Sequence, residues 1–357
     1  MGGRRVGRWP NRRLYRQALV LALGVFALAL VSCLPTVLST EQTYLLARSD
    51  GALWRVLPDD DETYATFSTE VLGDPYLSQL LGVYDGATKA LLAERLADRL
   101  PQTASNMPVI LLDSAWSGAV RDVRLGRSGE HVNIELALGL GNDGREDQSW
   151  AKQRLAWVIG MGLYELMGQA PASVGGSWAS PYEATTPARA LQEGLALALD
   201  AAHARANPTL IDGIAFRSDL SIALRDRLDL GGLVEGNRFR FEFSRREPTS
   251  VLRTYTRALS TSGVCATFFH RLLRETGSGY PQRLMLWFAN FQPADVPYAK
   301  ALVALAHMPP NRASLEAFVA SYGESFPAEK EWVSDLFRQV VVDPPMQDVS
   351  SAAGAAR

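Results

Sequence analysis

Two segments with helical periodicity constrain the fold of this chain more than any other feature. Ser149 to Ala170 and Thr186 to Ala204 both place apolar residues at i, i+3, i+4 and i+7. Each pattern predicts a helix that buries one face. Because both faces need a partner, we expect these two helices to pack against each other and to form the centre of the domain.

Both predicted helices carry a motif that contains an acidic residue. The first contains Tyr164-Glu165-Leu166-Met167-Gly168, and the second contains Glu193-Gly194-Leu195-Ala196. The pair resembles the core of the gluzincin zinc metallopeptidases, the peptidase MA-like superfamily. There a helix bearing His-Glu-x-x-His supplies two histidine ligands and the general base, and a later helix supplies a glutamate ligand, often within Glu-Gly-Leu-Ala. The resemblance implies that Glu165 has the position of the base and Glu193 that of the glutamate ligand.

The chain departs from this family at both histidine positions, which are occupied by Tyr164 and Gly168. A phenol is a rare zinc ligand, and glycine has no side chain that could bind a metal. The four histidines of the chain include no pair spaced three to five residues apart. We therefore predict a degenerate metal site and no bound metal or cofactor.

A basic leader and an apolar segment begin the chain. Six arginines precede the uncharged run from Ala18 to Leu38, which is about 20 residues long and matches the length of a membrane-spanning helix. Three interpretations follow: an uncleaved signal anchor, a cleaved secretory signal, or a lipoprotein signal, since Leu30-Val31-Ser32-Cys33 resembles a lipobox with an acylated cysteine. In all three, the residues after Glu41 face the periplasm or the cell exterior. The anchor and the lipoprotein signal also tether them to a membrane.

Charge and cysteine content exclude some classes of protein. The net charge is −2, from 36 Lys and Arg against 38 Asp and Glu, and nucleic-acid-binding domains usually carry a clear basic excess. Only two cysteines occur, Cys33 and Cys265, and the first lies in the apolar segment. A structural disulfide within the folded domain is therefore not expected.

Strand signals precede the first central helix. Arg48-Ser49-Asp50-Gly51 separates two β-prone runs and predicts a hairpin. Val109 to Leu112 has the apolar run of a buried strand, and His131 to Leu136 alternates as a strand with one polar face. A helical pattern from Tyr76 to Leu100 lies between the hairpin and the first of these two strands. This part of the chain therefore predicts a small sheet with one helix.

The region after Asn207 is mostly helical in pattern, apart from Arg238 to Phe243, which alternates like an edge strand. Helices are predicted at Thr254 to Thr276, Pro281 to Phe291, Tyr298 to His307, Ser314 to Tyr322 and Glu329 to Val341.

The fold class predicted from these patterns is α+β and mainly helical, and the resemblance implies that a small β-sheet packs on a gluzincin-like helical domain. The predicted organisation is a leader with an anchor or signal (1–40), an N-terminal α+β subdomain (41–148), a helical subdomain (149–342) and a disordered tail (343–357).

Two aromatic residues lie between the central helices, in the Gly- and Pro-containing stretch Gln169 to Pro187. Such a stretch runs over the surface near the mouth of any cleft. Trp178 and Tyr182 therefore either contact a ligand there or pack onto the domain.

Three functions are compatible with these features. The first is a membrane-tethered extracytoplasmic pseudopeptidase that binds a peptide or an envelope partner without hydrolysing it. The second is a peptidase-like or glycosidase-like hydrolase that uses Glu165 and Glu193 without zinc or with an atypical metal. The third is an envelope scaffold. The simplest structural role of the two carboxylates is hydrogen bonding, of Glu165 to Tyr164 or a strand edge and of Glu193 to Arg189 at i−4.

Overall fold

The computed structural model describes most of the domain that follows the leader. The described residues are 45–50, 53–56, 58, 60–62, 65, 68–69, 73–93, 109–112, 122–128, 131–137, 149–169, 181–206, 230–242, 251–274 and 285–343. By their contacts the residues of the chain divide into two units, Met1–Gln42 and Thr43–Arg357. The predictions for the leader, the apolar segment, Cys33, Trp178 and the tail after Asp343 lie outside the described residues. Among the described helices, none has the length and apolarity needed to cross a bilayer.

The predicted hairpin is confirmed. Strand β1 (Leu45–Asp50) pairs antiparallel with β2 (Leu53–Val56), and Asp50 lies opposite Leu53. This register leaves Gly51 and Ala52 between the paired strands, and glycine at the first of two loop positions favours such a hairpin.

The hairpin belongs to a mixed five-stranded sheet with strand order β2-β1-β3-β5-β4. Strand β3 (Val109–Leu112) lies between β1 and β5 (His131–Ala137) and is parallel to both. The strand predicted from Val109 to Leu112 is thus confirmed. Strand β4 (Asp122–Ser128), which was not predicted, pairs antiparallel with β5 and forms one edge of the sheet.

Three long helices supply the first half of the helical core: α1 (Pro75–Ala93), α2 (Ser149–Leu166) and α3 (Pro187–Ala206). Two of them begin at a proline in the first turn with a capping side chain before it. The Asp74 carboxylate accepts the backbone N–H groups of Tyr76 and Leu77, and the Thr186 hydroxyl accepts that of Arg189. Caps of this kind satisfy donors that have no partner within the helix, so both starts are encoded locally.

The C-terminal half consists mainly of shorter helices. In chain order these are α4 (Leu230–Glu235), α5 (Tyr255–Leu259), α6 (Ser262–Arg274), α7 (Met285–Phe288), α8 (Val296–His307), α9 (Leu315–Ser325) and α10 (Lys330–Phe337), which continues into a π-helical turn, Arg338–Val342. A short antiparallel pair, β6 (Phe241–Glu242) and β7 (Val251–Leu252), lies between α4 and α5. The prediction of a mainly helical α+β protein is confirmed.

Two predicted elements in this half are wrong. Arg238 to Phe243 does not form one strand, because Arg238–Arg240 is a 3₁₀-helical turn that follows Asn237 at φ 49°. The helix predicted from Thr254 to Thr276 is interrupted at Ser260 and Thr261. There the Ser260 carbonyl accepts the backbone N–H of Thr185, and Thr261 forms a β-bridge with Ala184. In both places tertiary contacts override the local pattern.

Helix α3 is the centre of the core and packs on α2 and on α6. Small residues allow both close approaches. A Cβ added at Gly160 would lie 2.7 Å from the Cα of Ala196, and one added at Gly194 would lie 2.3 Å from the Cβ of Cys265. Such distances leave no room for a side chain, so Gly194 and Ala196 of the Glu-Gly-Leu-Ala motif serve helix packing. The predicted packing of the two motif helices is confirmed.

Candidate functional site

The candidate site lies where the C-terminal end of α2 meets the N-terminal half of α3. Helix α2 ends at Leu166, four residues before the predicted end. Gly168 follows at φ 77°, and its N–H donates to the Glu165 carbonyl at 3.0 Å. A left-handed glycine with this bond is a common helix C-terminal cap. Gly168 is therefore a helix terminator that lies outside α2, and a side chain there would not share a helical face with Tyr164.

Tyr164 does not fit the role of a metal ligand. Its side chain is fully buried, and its hydroxyl has no hydrogen-bond partner among the described residues. Burial, and then the negative charge of Glu165, raises the pKa of the Tyr164 phenol well above its ordinary value. A metal binds the phenolate and not the neutral phenol, so this environment opposes ligation.

Glu165 lies at a junction of three helices. It is half-buried, and its Oε1 accepts a hydrogen bond from Gln192 Nε2 of α3 at 3.2 Å. Its negative charge also raises the pKa of Tyr84 in α1, where burial is the larger cause, as well as that of Tyr164. Glu165 is thus a partly accessible carboxylate beside two phenols and one amide, an arrangement that can accept further hydrogen bonds from a ligand.

Glu193 has a different environment. The residue is 2% exposed, and its Oε1 accepts from Arg189 Nε at 2.7 Å, one helical turn earlier. This is the i−4 contact that the spacing predicted. A buried carboxylate is stable in its charged form when a cation pairs with it, so Arg189 supplies the charge that a metal would supply in a metallopeptidase.

The two carboxylates are brought to the same helix crossing. Glu165 contacts Gln192, which precedes Glu193 in the chain, and successive residues of an α-helix point about 100° apart. Of the positions that the resemblance assigns to metal ligands, Tyr164 is a buried phenol, Gly168 is a cap and Glu193 pairs with Arg189. Over the described part of the chain, no group of three or more His, Cys, Asp or Glu residues is arranged to hold a metal. The donor set at these positions does not fit zinc.

Tyr182 packs on the domain at the base of the stretch that precedes α3. Its ring lies 4.8 Å from that of Phe239, centroid to centroid, at 56°. Its backbone carbonyl accepts from Arg253 Nη2 at 2.5 Å. Both contacts hold the entry to α3 against the turn Arg238–Arg240, and the half-buried ring still has an accessible part.

The sequence interpretation missed Gln192 and Tyr84. Gln192 contacts a residue 27 positions away, and Tyr84 belongs to a different helix. One signal was present in the sequence, because a glutamine beside a glutamate on the buried face of a helix needs a polar partner. The identity of that partner depended on how α2 and α3 cross.

Comparison of this chain with protein-family models, with curated proteins and with solved structures gave no match. The side-chain chemistry at the crossing of α2 and α3 is therefore the basis on which a function is proposed.

Proposed function

We propose that the protein is a membrane-tethered, extracytoplasmic pseudopeptidase of gluzincin-like fold that binds a peptide or an envelope partner without hydrolysing it. The observation that carries the proposal is the state of the two carboxylates. Glu193 is paired with Arg189, and Glu165 accepts from Gln192. Both thus have partners within the protein at a helix crossing where a gluzincin would hold zinc.

The donor groups at the helix crossing are unsuited to zinc-dependent hydrolysis. A zinc peptidase needs three protein ligands and an open position for water. Tyr164 has a raised pKa, and Gly168 lies beyond the end of α2. Of the three expected ligands only Glu193 remains, and it is already paired with Arg189. A single carboxylate is not enough to bind zinc tightly.

Two features support binding: the Glu165 carboxylate and the sheet edge formed by β4. Glu165 is half-buried, so a ligand N–H group can reach its carboxylate. Strand β4 lies against α2, and within the described residues it pairs with β5 alone. An exposed edge strand can accept an extended peptide as an additional strand. A peptide that added to β4 would run beside α2, the helix that carries Glu165.

The experiment uses the purified full-length chain and a peptide mixture of defined composition. Peptides retained by the immobilised protein are identified by mass spectrometry, and the unbound mixture is searched for cleavage products with and without added zinc. We expect a subset of peptides to be retained intact. Retention should decrease in Glu165→Gln and should be unchanged in the control Glu324→Gln, because Glu324 is exposed on α9.

Two results would contradict the proposal. Cleavage that disappears in Glu165→Gln would favour a hydrolase acting through Glu165 and Glu193. Equal retention by the wild type and Glu165→Gln would leave the helix crossing without a role in binding and would favour a scaffold.

The tether is tested separately in cells. If Cys33 is acylated, a fatty-acid analogue labels the wild type and does not label Cys33→Ser. If the apolar segment is an uncleaved anchor, neither protein is labelled and both stay in the membrane fraction. Recovery of both proteins in the soluble periplasmic fraction would contradict tethering.

A further inference from the structure

A pair of buried arginines lies outside the α2–α3 crossing. Arg240 ends the 3₁₀ turn after α4 and is 3% exposed. Its Nη1 donates to the backbone carbonyl of Arg253, and its Nε is buried with no acceptor among the described residues. A charged side chain is rarely buried without an oppositely charged partner, so this environment needs an explanation.

Arg253 is held in the same region by neutral groups. It is 6% exposed, its Nε donates to the Phe239 carbonyl at 2.9 Å, and its Nη2 donates to the Tyr182 carbonyl at 2.5 Å. Carbonyl groups satisfy these N–H donors but bring no negative charge. The hydrogen bonds fix the position of the guanidinium without neutralising its charge.

Among the described residues the local charge balance is positive. The negative charge of Glu242 raises the pKa of Arg253, and Glu242 also forms an ion pair with Arg257. Within the described residues, one carboxylate therefore lies among three arginines. Burial lowers the pKa of Arg240 and of Arg253, and the charge of Arg253 lowers the pKa of Arg240 further. Because arginine keeps its proton in proteins, the surplus charge is balanced more readily by a bound anion than by deprotonation.

We propose that Arg240 and Arg253 form a binding site for an oxyanion, the carboxylate or phosphate group of a ligand. The free Nε edge of Arg240 forms, together with Nη2, the two-donor fork that binds a carboxylate or a phosphate. Arg253 lies between Leu252 and Thr254, which are both exposed, so the backbone at Arg253 is close to the surface. This proposal is independent of the proposed function, because it uses neither Glu165 nor Glu193.

The test measures the thermal unfolding of the full-length chain in phosphate, acetate or chloride at equal ionic strength. A ligand that binds the folded state raises Tm, and the rise increases with the ratio of ligand concentration to Kd. Phosphate also stabilises proteins in general by exclusion from their surface. The diagnostic quantity is therefore the difference in the rise of Tm between the wild type and the variants. Isothermal titration with inorganic phosphate and with acetate measures the binding itself.

Arg240→Met removes the fork, and Arg238→Gln is the matched control, since Arg238 is exposed in the same turn. We expect saturable binding of phosphate or acetate to the wild type and to Arg238→Gln, and loss of binding in Arg240→Met. Should Arg240→Met fail to fold, Arg240→Lys keeps the charge without the fork and should bind roughly tenfold more weakly.

The two anions also distinguish the ligand group. Saturable binding of acetate would assign a carboxylate, and binding of phosphate alone would assign a phosphate. No saturable binding of either anion to the wild type, or equal binding by the Arg240 variants, would overturn the proposal. Absence of peptide retention by the wild type, or equal retention by the wild type and Glu165→Gln, with anion binding intact would contradict the proposed function and leave this site standing.

Discussion

Arg189 and Glu193 form an ion pair within helix α3, with Arg189 Nε 2.7 Å from Glu193 Oε1. The Glu193 side chain is 3% exposed and that of Arg189 is 28% exposed. The pair thus joins a buried carboxylate to a cation at the surface. Its charge compensation takes place within one helix and requires no ion from solution.

Replacement of Arg189 by methionine should destabilise the protein. The variant leaves the buried Glu193 carboxylate without its cation, and breaking such a pair on one side costs about 2–3 kcal/mol when one partner is partly exposed. The double variant Arg189→Met, Glu193→Met should recover much of this loss, because it also removes the buried charge. Urea unfolding of the three proteins measures the effect. An unchanged unfolding midpoint in Arg189→Met would show that Glu193 does not depend on this cation.

Tyr164→Phe should make the protein more stable. The Tyr164 hydroxyl is buried and has no hydrogen-bond partner among the described residues, so its removal should raise the free energy of unfolding by about 1 kcal/mol. Tyr322→Phe is the matched control, since the Tyr322 hydroxyl donates to Glu329 Oε2 at 2.7 Å. That variant should be destabilised. A loss of stability in Tyr164→Phe comparable to that in Tyr322→Phe would indicate that the Tyr164 hydroxyl has a partner.

Gly194→Ala should destabilise the crossing of α3 and α6. An added Cβ would lie 2.3 Å from the Cβ of Cys265, and forcing such contacts apart costs about 1–3 kcal/mol. Gly82→Ala in α1 is the control. A Cβ there meets nothing within 4 Å, so the higher helix propensity of alanine should stabilise the protein by about 0.5–1 kcal/mol. Opposite shifts in Tm are expected, and equal shifts would contradict the close approach at Gly194.

Alkaline pH should weaken the fold through Tyr84 and Tyr164. Burial, and then the charge of Glu165, raises the pKa of both phenols above the ordinary 10.0. Above about pH 10 the unfolded chain loses these protons while the folded chain keeps them. The stability contributed by the raised pKa values is therefore complete below about pH 10 and is lost as the pH rises towards the folded-state values.

The corresponding measurement is the free energy of unfolding between neutral pH and the most alkaline pH at which unfolding stays reversible. The decline above about pH 10 should be shallower in Tyr164→Phe, which has one such group fewer. Parallel declines in the two proteins would show that Tyr164 ionises alike in both states.

Much of the fold was predictable from neighbouring residues alone. The starts of α1 and α3 follow from Asp74 and Thr186, which cap the turn that comes after them. The hairpin follows from the turn residues between β1 and β2, and the Arg189–Glu193 pair follows from its i, i+4 spacing. Gly168 also carries a local signal, because a glycine after an apolar helical run is a common helix C-terminal cap.

Tertiary structure decided what these elements meet. The hydrogen bond between Gln192 and Glu165 and the separation of α5 from α6 by Ala184 arise between residues distant in the chain. The burial of Arg240 has a similar origin, because it depends on contacts with Arg253. Periodicity, caps and turns act within a few residues, and they are therefore set by the sequence itself. Contacts between helices depend on where glycine and alanine allow two backbones to approach, and only the assembled core determines that.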